Sequence, residues 1–274
     1  MRHLILAILF LLPLSVLCQD AEYARLVRLG IRALDSDSFA VAERLFLKAI
    51  DMKPAEASNA VLYLYLGQLR VREGRRDEAM MAFDSGLKLS PSSQELLLDR
   101  ASLHIQSGNE TRALDDLCDL LTLNPDHQEA LFFRAYIYAG QHLNVKARAD
   151  YGHLLELQPR HREARLGLAL LCDKDKRPRE AMEHIEVLLR YYPDDATVYA
   201  VRGGIYQTRR QYEAALADMN HAIALEPDSP DFYISRALLY KDFHKDALAV
   251  SDFRHAVELG ASPEECAALM GQVP

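Results

Sequence analysis

Five prolines recur along this chain at equal intervals, at Pro91, Pro125, Pro159, Pro193 and Pro227. Twelve positions before each of them stands an alanine, and twenty-four positions before each stands a glycine or an alanine. A fixed period of this length is typical of a repeat array, in which the chain repeats one structural unit. The period therefore constrains the fold more strongly than any local preference for helix or strand.

Each copy of the period predicts two helices. In residues 196–227, small and apolar residues recur every three or four positions in two segments, one around Gly203 and one around Ala215. Small side chains at these two positions allow two helix backbones to approach closely. One such pair cannot bury its own apolar surface, so successive copies must stack. The pattern predicts an all-α protein built from antiparallel helix pairs.

The small, aromatic, alanine and proline positions of each copy resemble the tetratricopeptide repeat. The resemblance extends to an earlier copy that ends at Pro54 and to a last copy that carries Ala261 in place of the proline. It implies a right-handed α-solenoid of antiparallel helix pairs, the superhelix of this family. Seven repeats are expected within residues 19–262, at about residues 22–54, 60–91, 94–125, 128–159, 162–193, 196–227 and 230–261.

The two ends of the chain differ from the repeats. Residues 1–18 have a short basic start and an apolar run, which is typical of a signal peptide, here cleaved near Cys18 and Gln19. In an alternative interpretation, Cys18 is the lipidated cysteine of a bacterial lipoprotein, although Leu17 is bulkier than that signal requires. Residues 263–274 predict a short capping helix and tail. We expect an exported protein of the periplasm, cell envelope or secreted fraction, with no membrane-spanning segment.

Charge and cysteine usage narrow the classes of function. The net charge is -8 at pH 7 and the basic residues form no long stripe, which argues against nucleic acid as a partner. Three cysteines remain after the predicted cleavage, without a CxxC pair, and are interpreted as buried apolar residues rather than a disulfide framework. A local basic cluster is interpreted as a solvated helix end and turn; it comprises Arg70, Arg72, Arg75 and Arg76.

The sequence contains no motif of catalytic chemistry. It lacks a GxSxG nucleophile elbow, a glycine-rich phosphate loop and an HExxH metal motif. His153, His221 and His255 occupy equivalent positions in three copies, but equivalence in a repeat array places them too far apart to share one metal ion. We therefore predict no catalytic residue, no metal site and no cofactor. An enzyme with an unrecognised site is the remote alternative.

A second regularity links the two helices of four copies. An arginine of the first helix is followed, at one constant spacing, by an aspartate of the second helix. Both are absent from the other three copies, which carry Leu29, Leu66 or Leu168 at the arginine position. We predict an ion pair between the helices of one repeat, which fixes their register more than it adds stability. The four pairs are Arg100–Asp116, Arg134–Asp150, Arg202–Asp218 and Arg236–Asp252.

The resemblance also implies a binding surface. In this family the first helix of each repeat lines the concave side of the superhelix, which receives an extended segment or helix of a partner protein. In the fourth copy, Glu129, Phe132 and Tyr136 are spaced three and four positions apart, so they share one helix face. With equivalent residues of the third and fifth copies, they predict a protein-binding groove of Glu95, Leu98, Glu129, Phe132, Tyr136, Glu163, Leu166 and Leu170.

The predicted groove combines an apolar patch with an acidic row of Glu95, Glu129 and Glu163. A partner protein or peptide with apolar anchors and nearby basic residues would suit both. In the alternative interpretation, the apolar residues pack against neighbouring repeats and the glutamates are first-turn residues favoured by the helix dipole. A clamp for a partner's C-terminal carboxylate is not expected, because apolar residues such as Phe132 stand where the clamp lysine would be.

These observations together predict an exported, non-catalytic scaffold or adaptor that binds a partner in its concave groove. The alternatives are a lipid-anchored envelope assembly factor and a subunit of a larger complex. In the subunit alternative the end repeats, rather than the groove, make the contacts.

Overall fold

The computed structural model describes the backbone of residues 2–271 and the side chains of residues 19–271. In this part of the chain all regular secondary structure is helical and no strand occurs, which confirms the all-α fold class. The predicted signal peptide, residues 1–18, lies outside the residues whose side chains are described. The helices are α1 (Arg2–Asp35), α2 (Phe39–Met52), α3 (Asn59–Arg72), α4 (Arg76–Leu89), α5 (Gln94–Gln106), α6 (Glu110–Leu123), α7 (Gln128–Gly140), α8 (Asn144–Leu157), α9 (Arg162–Lys174), α10 (Pro178–Tyr191), α11 (Ala196–Thr208), α12 (Tyr212–Leu225), α13 (Pro230–Asp242), α14 (Asp246–Glu258) and α15 (Pro263–Gly271).

The chain divides into two compact units, with the boundary inside α7 between Arg134 and Ala135. In the first unit, α1 packs on α2, α3 on α4 and α5 on α6. In the second unit, α9 packs on α10, α11 on α12 and α13 on α14, and α15 then packs on α14. The second helix of a pair also contacts the first helix of the next pair. Each unit is therefore a stack of antiparallel helix pairs.

The turn inside each pair contains one residue in the left-handed backbone region. This residue is Gly74 or Gly108 in two turns, with φ values of 75° and 74°. The same hydrogen bond recurs around it; the Arg75 amide, for example, donates to the Arg70 carbonyl at 2.8 Å. This arrangement satisfies the last carbonyls of a helix and reverses the chain. In five other turns the left-handed residue is not glycine, and these residues are Asp37, His142, Lys176, Arg210 and His244.

Small residues on the first helix of a pair meet large residues on the second helix. A Cβ added to Gly30 would lie 2.5 Å from Cε1 of Phe46, and one added to Gly67 would overlap the Phe83 ring. Both phenylalanines are fully buried. The glycines therefore set the close approach of the two helices, because a larger residue would occupy the space of the ring.

Three of the four predicted arginine–aspartate pairs are confirmed. In each, Nε and Nη2 of the guanidinium donate to the two carboxylate oxygens of the aspartate, a geometry that strengthens the pair and fixes its orientation. The aspartates are buried and the arginines are half-buried. The donor–acceptor distances are 3.0 and 2.6 Å for Arg100–Asp116, 2.7 and 2.7 Å for Arg202–Asp218, and 2.7 and 2.8 Å for Arg236–Asp252.

The residues of the fourth predicted pair belong to different units. Arg134 ends the first unit, where its Nη1 lies 3.7 Å from Sγ of Cys118. Asp150 is buried in the second unit. Their pairing stays a prediction. In the second copy, Leu66 and Ala82 replace the pair and join one buried apolar cluster, as the sequence pattern predicts.

Two of the arginines also contact the preceding helix pair, which the sequence analysis did not anticipate. Nη1 of Arg100 donates to Asp84 at 2.6 Å, and Nη1 of Arg236 donates to Asn220 at 2.7 Å. Each acceptor lies on the second helix of the preceding pair. One guanidinium thus joins three helices, and it fixes the stacking of pairs as well as the register within a pair.

Alanine substitutions at Gly67 and at Gly204 distinguish the effect of close packing on stability from the effect of helix propensity. An added Cβ at Gly204 meets nothing within 4 Å. We expect Gly67→Ala to lower the free energy of unfolding by about 1–3 kcal/mol because Phe83 must move. We expect Gly204→Ala to raise it by about 0.5–1 kcal/mol because alanine favours helix. Urea denaturation followed by circular dichroism measures both, and an unchanged Gly67→Ala protein would contradict the packing argument.

A double-mutant cycle on Arg202 and Asp218 tests the ion pair. We expect Arg202→Leu or Asp218→Ala alone to cost about 2–3 kcal/mol, because each leaves a partly buried charge without its partner. The double variant copies Leu66 and Ala82 of the second copy and should recover part of the loss, with a coupling energy of about 1–3 kcal/mol. Strictly additive losses in urea denaturation would show that the two side chains do not act as a pair.

Candidate protein-binding site

The predicted groove residues of the first unit lie on α5 and α7. Glu95 and Glu129 are exposed. Leu98 is half-buried, and so is Phe132, whose ring centroid lies 5.8 Å from that of Phe133. In this unit both glutamates are accessible to a partner, while both apolar residues are partly covered.

The predicted groove residues of the second unit lie on α7 and α9. Tyr136 is 59% exposed and Leu170 is 44% exposed. Leu166 is half-buried and packs against a buried apolar cluster, as the alternative interpretation expects. A carboxylate oxygen of Glu163 lies 3.4 Å from Nη1 of Arg162. Tyr136 and Leu170 are therefore the apolar groups left open here, and the binding role of the eight residues stays a prediction.

The first unit contains a cleft that the sequence analysis did not identify. Its volume is about 550 Å³, which is within the range of ligand sites in proteins. Its walls come from α1, α3 and α5, with Phe39 of α2 and Phe83 of α4. The polar and charged lining residues are Asp35, Gln68, Arg72, Asp99, Ser102 and Gln106.

Asp99 lies half-buried in this cleft beside a neutral partner. The side-chain amide of Gln68 donates to its Oδ2 at 2.8 Å. Burial raises the pKa of the Asp99 carboxyl, the Gln68 hydrogen bond opposes the rise, and the charge of Glu95 adds to it. The guanidinium of Arg72 lies over the ring of Phe39, 5.7 Å from its centroid. The lining of the cleft thus combines a partly desolvated carboxylate with aromatic side chains.

Part of this cleft could have been found from the repeat pattern. Gln68 occupies in the second copy the position that Tyr136 occupies in the fourth, and Val71 lies one turn further along the same face. Both line the cleft. The predicted groove included residues of this helix face from the third, fourth and fifth copies only. Phe39 and Asp99 occupy other positions of the repeat, and only the packing of three helix pairs brings them to one cleft.

Family models of the tetratricopeptide repeat match most of the sequence. One matches residues 27–94 and 64–126, a second matches residues 138–205, and a third matches residues 173–240. This chain belongs to the tetratricopeptide-repeat family. The resemblance drawn from the spacing of prolines and small residues is therefore confirmed.

Solved structures share the fold. A tetratricopeptide repeat protein from Parabacteroides merdae is 27% identical over 92% of this chain and 98% of its own, with a TM-score of 0.76. PilW, described as a widely conserved type IV pilus biogenesis factor, is 15% identical over 77% of this chain and 98% of its own, with a TM-score of 0.66. PilF of Pseudomonas aeruginosa is 17% identical over 78% of this chain and 97% of its own, with a TM-score of 0.60. No curated protein matches the sequence.

An ion network joins the first two repeats of this tetratricopeptide-repeat protein. Arg75 donates to the carboxylates of Glu43, Glu73 and Glu78 at 2.6–3.0 Å. Arg70 donates to Glu43 at 2.9 Å, and its side chain is only 13% exposed. The interpretation of Arg70 as part of a solvated helix end is therefore wrong, because Glu43 of the preceding repeat neutralises it.

The cysteines and histidines of the described chain form no shared site. Cys118 is half-buried, Cys172 and Cys266 are buried, and all three are free thiols. The ring of His221 lies 4.2 Å from that of Tyr199. Over residues 19–271, no group of three or more His, Cys, Asp or Glu side chains is arranged to hold a metal ion. Over the same stretch, no helix combines the length and apolar character needed to cross a membrane.

The substitution Glu43→Gln tests the ion network through its pH dependence. The hydrogen bond from Arg75 lowers the pKa of Glu43, burial opposes this, and Arg70 lowers it further. The folded pKa is thus below the ordinary value of 4.5, so the contribution is present above that pH and is lost as the pH falls through the folded pKa. We expect the variant to be less stable by about 1–2 kcal/mol at pH 7, with a difference that shrinks below about pH 4.

Thermal unfolding of the wild type and the variant at several pH values measures this difference. The control is Glu78→Gln, which removes a more exposed partner of Arg75 and should have the smaller effect at pH 7. A stability difference for Glu43→Gln that stays constant from neutral to acid pH would contradict the network.

Proposed function

We propose that this protein is an exported, non-catalytic scaffold or adaptor that binds a segment of a partner protein on the first-helix faces of its repeats. The tetratricopeptide-repeat fold is consistent with protein binding. The observation that carries the proposal is the exposure of Tyr136 and Leu170, at equivalent positions of α7 and α9.

Stacking does not require these two side chains to be exposed. At the equivalent positions of the next two repeats, Gly204 has no side chain and Leu238 packs against a buried apolar cluster. Tyr136 and Leu170 instead present apolar surface to solvent. An exposed apolar residue on a first-helix face is accessible to a partner, and tyrosine is enriched among the residues that dominate binding energy.

A negative charge on the same helix as Leu170 indicates the chemistry of the partner. Glu163 precedes Leu170 on α9, and its side chain is half-exposed. The adjacent Arg162 contacts Asp195 as well as Glu163. Its Nη2 donates to a carboxylate oxygen of Asp195 at 2.9 Å. The whole chain has a net charge of -8. A partner segment with apolar anchors and nearby lysine or arginine would be attracted by this charge and oriented by it.

The proposed location rests on the N-terminal segment of the sequence, up to Cys18. Its basic start and apolar run support export with cleavage before Gln19. A lipid anchor on Cys18 is the variant of this proposal. The intact mass of the protein purified from its native source separates the two, because a soluble mature chain would begin at Gln19 without added lipid.

Cross-linking capture from the native compartment tests the groove. We expect wild-type protein to capture a partner and the Tyr136→Ala/Leu170→Ala double variant to lose it. With purified partner, the dissociation constant should rise at least about tenfold, because truncation of a central anchor commonly costs more than about 1 kcal/mol. Circular dichroism would verify that the variant keeps its helical content.

The matched control is Val145→Ala/Leu248→Ala. It also removes two exposed apolar side chains of the second unit, but from the second helices α8 and α14. We expect this control to retain the partner. If the control loses the partner and the groove variant keeps it, the contacts lie on the second helices and the proposed site is wrong.

A further inference from the structure

The charge of Asp99 is balanced less well than that of comparable aspartates in this protein. The aspartates of the three ion pairs each accept two hydrogen bonds from a guanidinium. Arg162 lowers the pKa of Asp195, whereas burial raises the pKa of Asp99. The hydrogen-bond donor at Asp99 is the neutral amide of Gln68. A carboxylate has about four acceptor sites, so Asp99 retains the capacity to accept from a cation.

The chain itself supplies no such cation in its described part. No lysine or arginine of residues 19–271 forms an ion pair with Asp99. The basic residue that lines the cleft, Arg72, lies over the Phe39 ring instead. Asp35 is a second carboxylate of the lining. Two aspartates against one arginine leave the cleft with a net negative charge, which favours a cationic ligand.

The rest of the cleft is suited to an apolar side chain. Phe39, Leu34 and Val71 line it together with Tyr65. The Tyr65 ring stacks on the buried Phe46, with centroids 5.7 Å apart, so this wall is held in place by the core. A rigid aromatic wall and a partly desolvated carboxylate in one cleft can hold the methylene chain and the charged end of a basic side chain.

We propose that the cleft of the first unit binds a partner segment that places a lysine or arginine against Asp99 and an adjacent apolar side chain against Phe39. This inference rests on the proposed protein-binding function and names a second contact surface with its own chemistry. The polarity is the reverse of a clamp for a C-terminal carboxylate. Here the protein supplies the negative group and the partner supplies the positive one.

A titration with a short peptide tests the proposal. The probe is N-acetyl-Leu-Arg-Phe-amide, and its matched control is the same peptide with citrulline, a neutral analogue of arginine. Nuclear magnetic resonance of the labelled full chain reports where each peptide binds, and the side-chain amide signals of Gln68 report directly on Asp99. We expect the arginine peptide to shift the Gln68 signals and to bind about tenfold more tightly than the citrulline peptide.

Two variants of the protein locate the effect. Asp99→Asn keeps the shape of the side chain and can still accept from Gln68, and it should weaken the arginine peptide about tenfold while leaving the citrulline peptide unchanged. Asp242→Asn is the matched control. Asp242 also accepts from a glutamine amide, that of Gln207 at 2.6 Å, but it is exposed and lies in the second unit. It should leave both peptides unaffected.

A third variant tests the proposal independently of whether the Asp99→Asn protein folds. Ser102 lies one helical turn from Asp99 on α5 and lines the cleft, so Ser102→Arg can supply the missing cation from within the chain. We expect it to abolish binding of the arginine peptide.

Several results would overturn the proposal. These are equal affinity for the two peptides, an unchanged affinity in Asp99→Asn, or no shift of the cleft signals at millimolar arginine peptide. None of these results affects the capture experiment with Tyr136 and Leu170. A captured partner with an inert cleft would retain the adaptor function and remove only this second surface.

Discussion

A pair of helices in this protein has more apolar surface than the pair can bury by itself, and this constraint governs the rest of the structure. Within a pair, small residues meet large ones, as Gly67 meets Phe83. The apolar residues that remain must be covered by the next pair. In the second unit one buried cluster contains Ala222 of α12, Phe232 of α13 and Cys266 of α15. The short α15 therefore covers part of the apolar surface of the last helix pair, in the place that a following pair has elsewhere in the unit.

Apolar stacking is not directional, so helix pairs that are held only by it could slide along one another. The bidentate arginines fix the two helices within a pair, because a guanidinium fork fits its carboxylate in one orientation. Arg100 and Arg236 also donate to the preceding pair, so they fix two interfaces at once. The same reasoning explains why both partners disappear together where Leu66 stands. A single buried charge would be costly, whereas two apolar residues of suitable size are not.

The repeats share one fold along the chain, but they differ in the residues on the faces of their first helices. One equivalent position of the first helix holds, in successive repeats, Gln68, Ser102, Tyr136 and Leu170. Tyr136 and Leu170 are exposed, whereas Gln68 holds a half-buried carboxylate in a cleft. One scaffold can thus present an apolar surface in one unit and an acidic cleft in the other. In the proposed function, binding specificity depends on these variable positions rather than on the fold.

The sequence by itself determined the all-α class, the pairing of helices and the existence of three of the four predicted ion pairs. Each of these depends on contacts that recur at a fixed spacing, so the joint presence of Arg202 and Asp218 could be read directly from the repeat. Only the tertiary structure decided which residues of one helix face are exposed to solvent and which are buried. Leu166 and Leu170 share a face by spacing, yet Leu166 packs against a buried cluster and Leu170 is exposed. The physical reason is that periodicity gives the direction of a side chain, whereas its burial depends on the size and position of side chains from other helices.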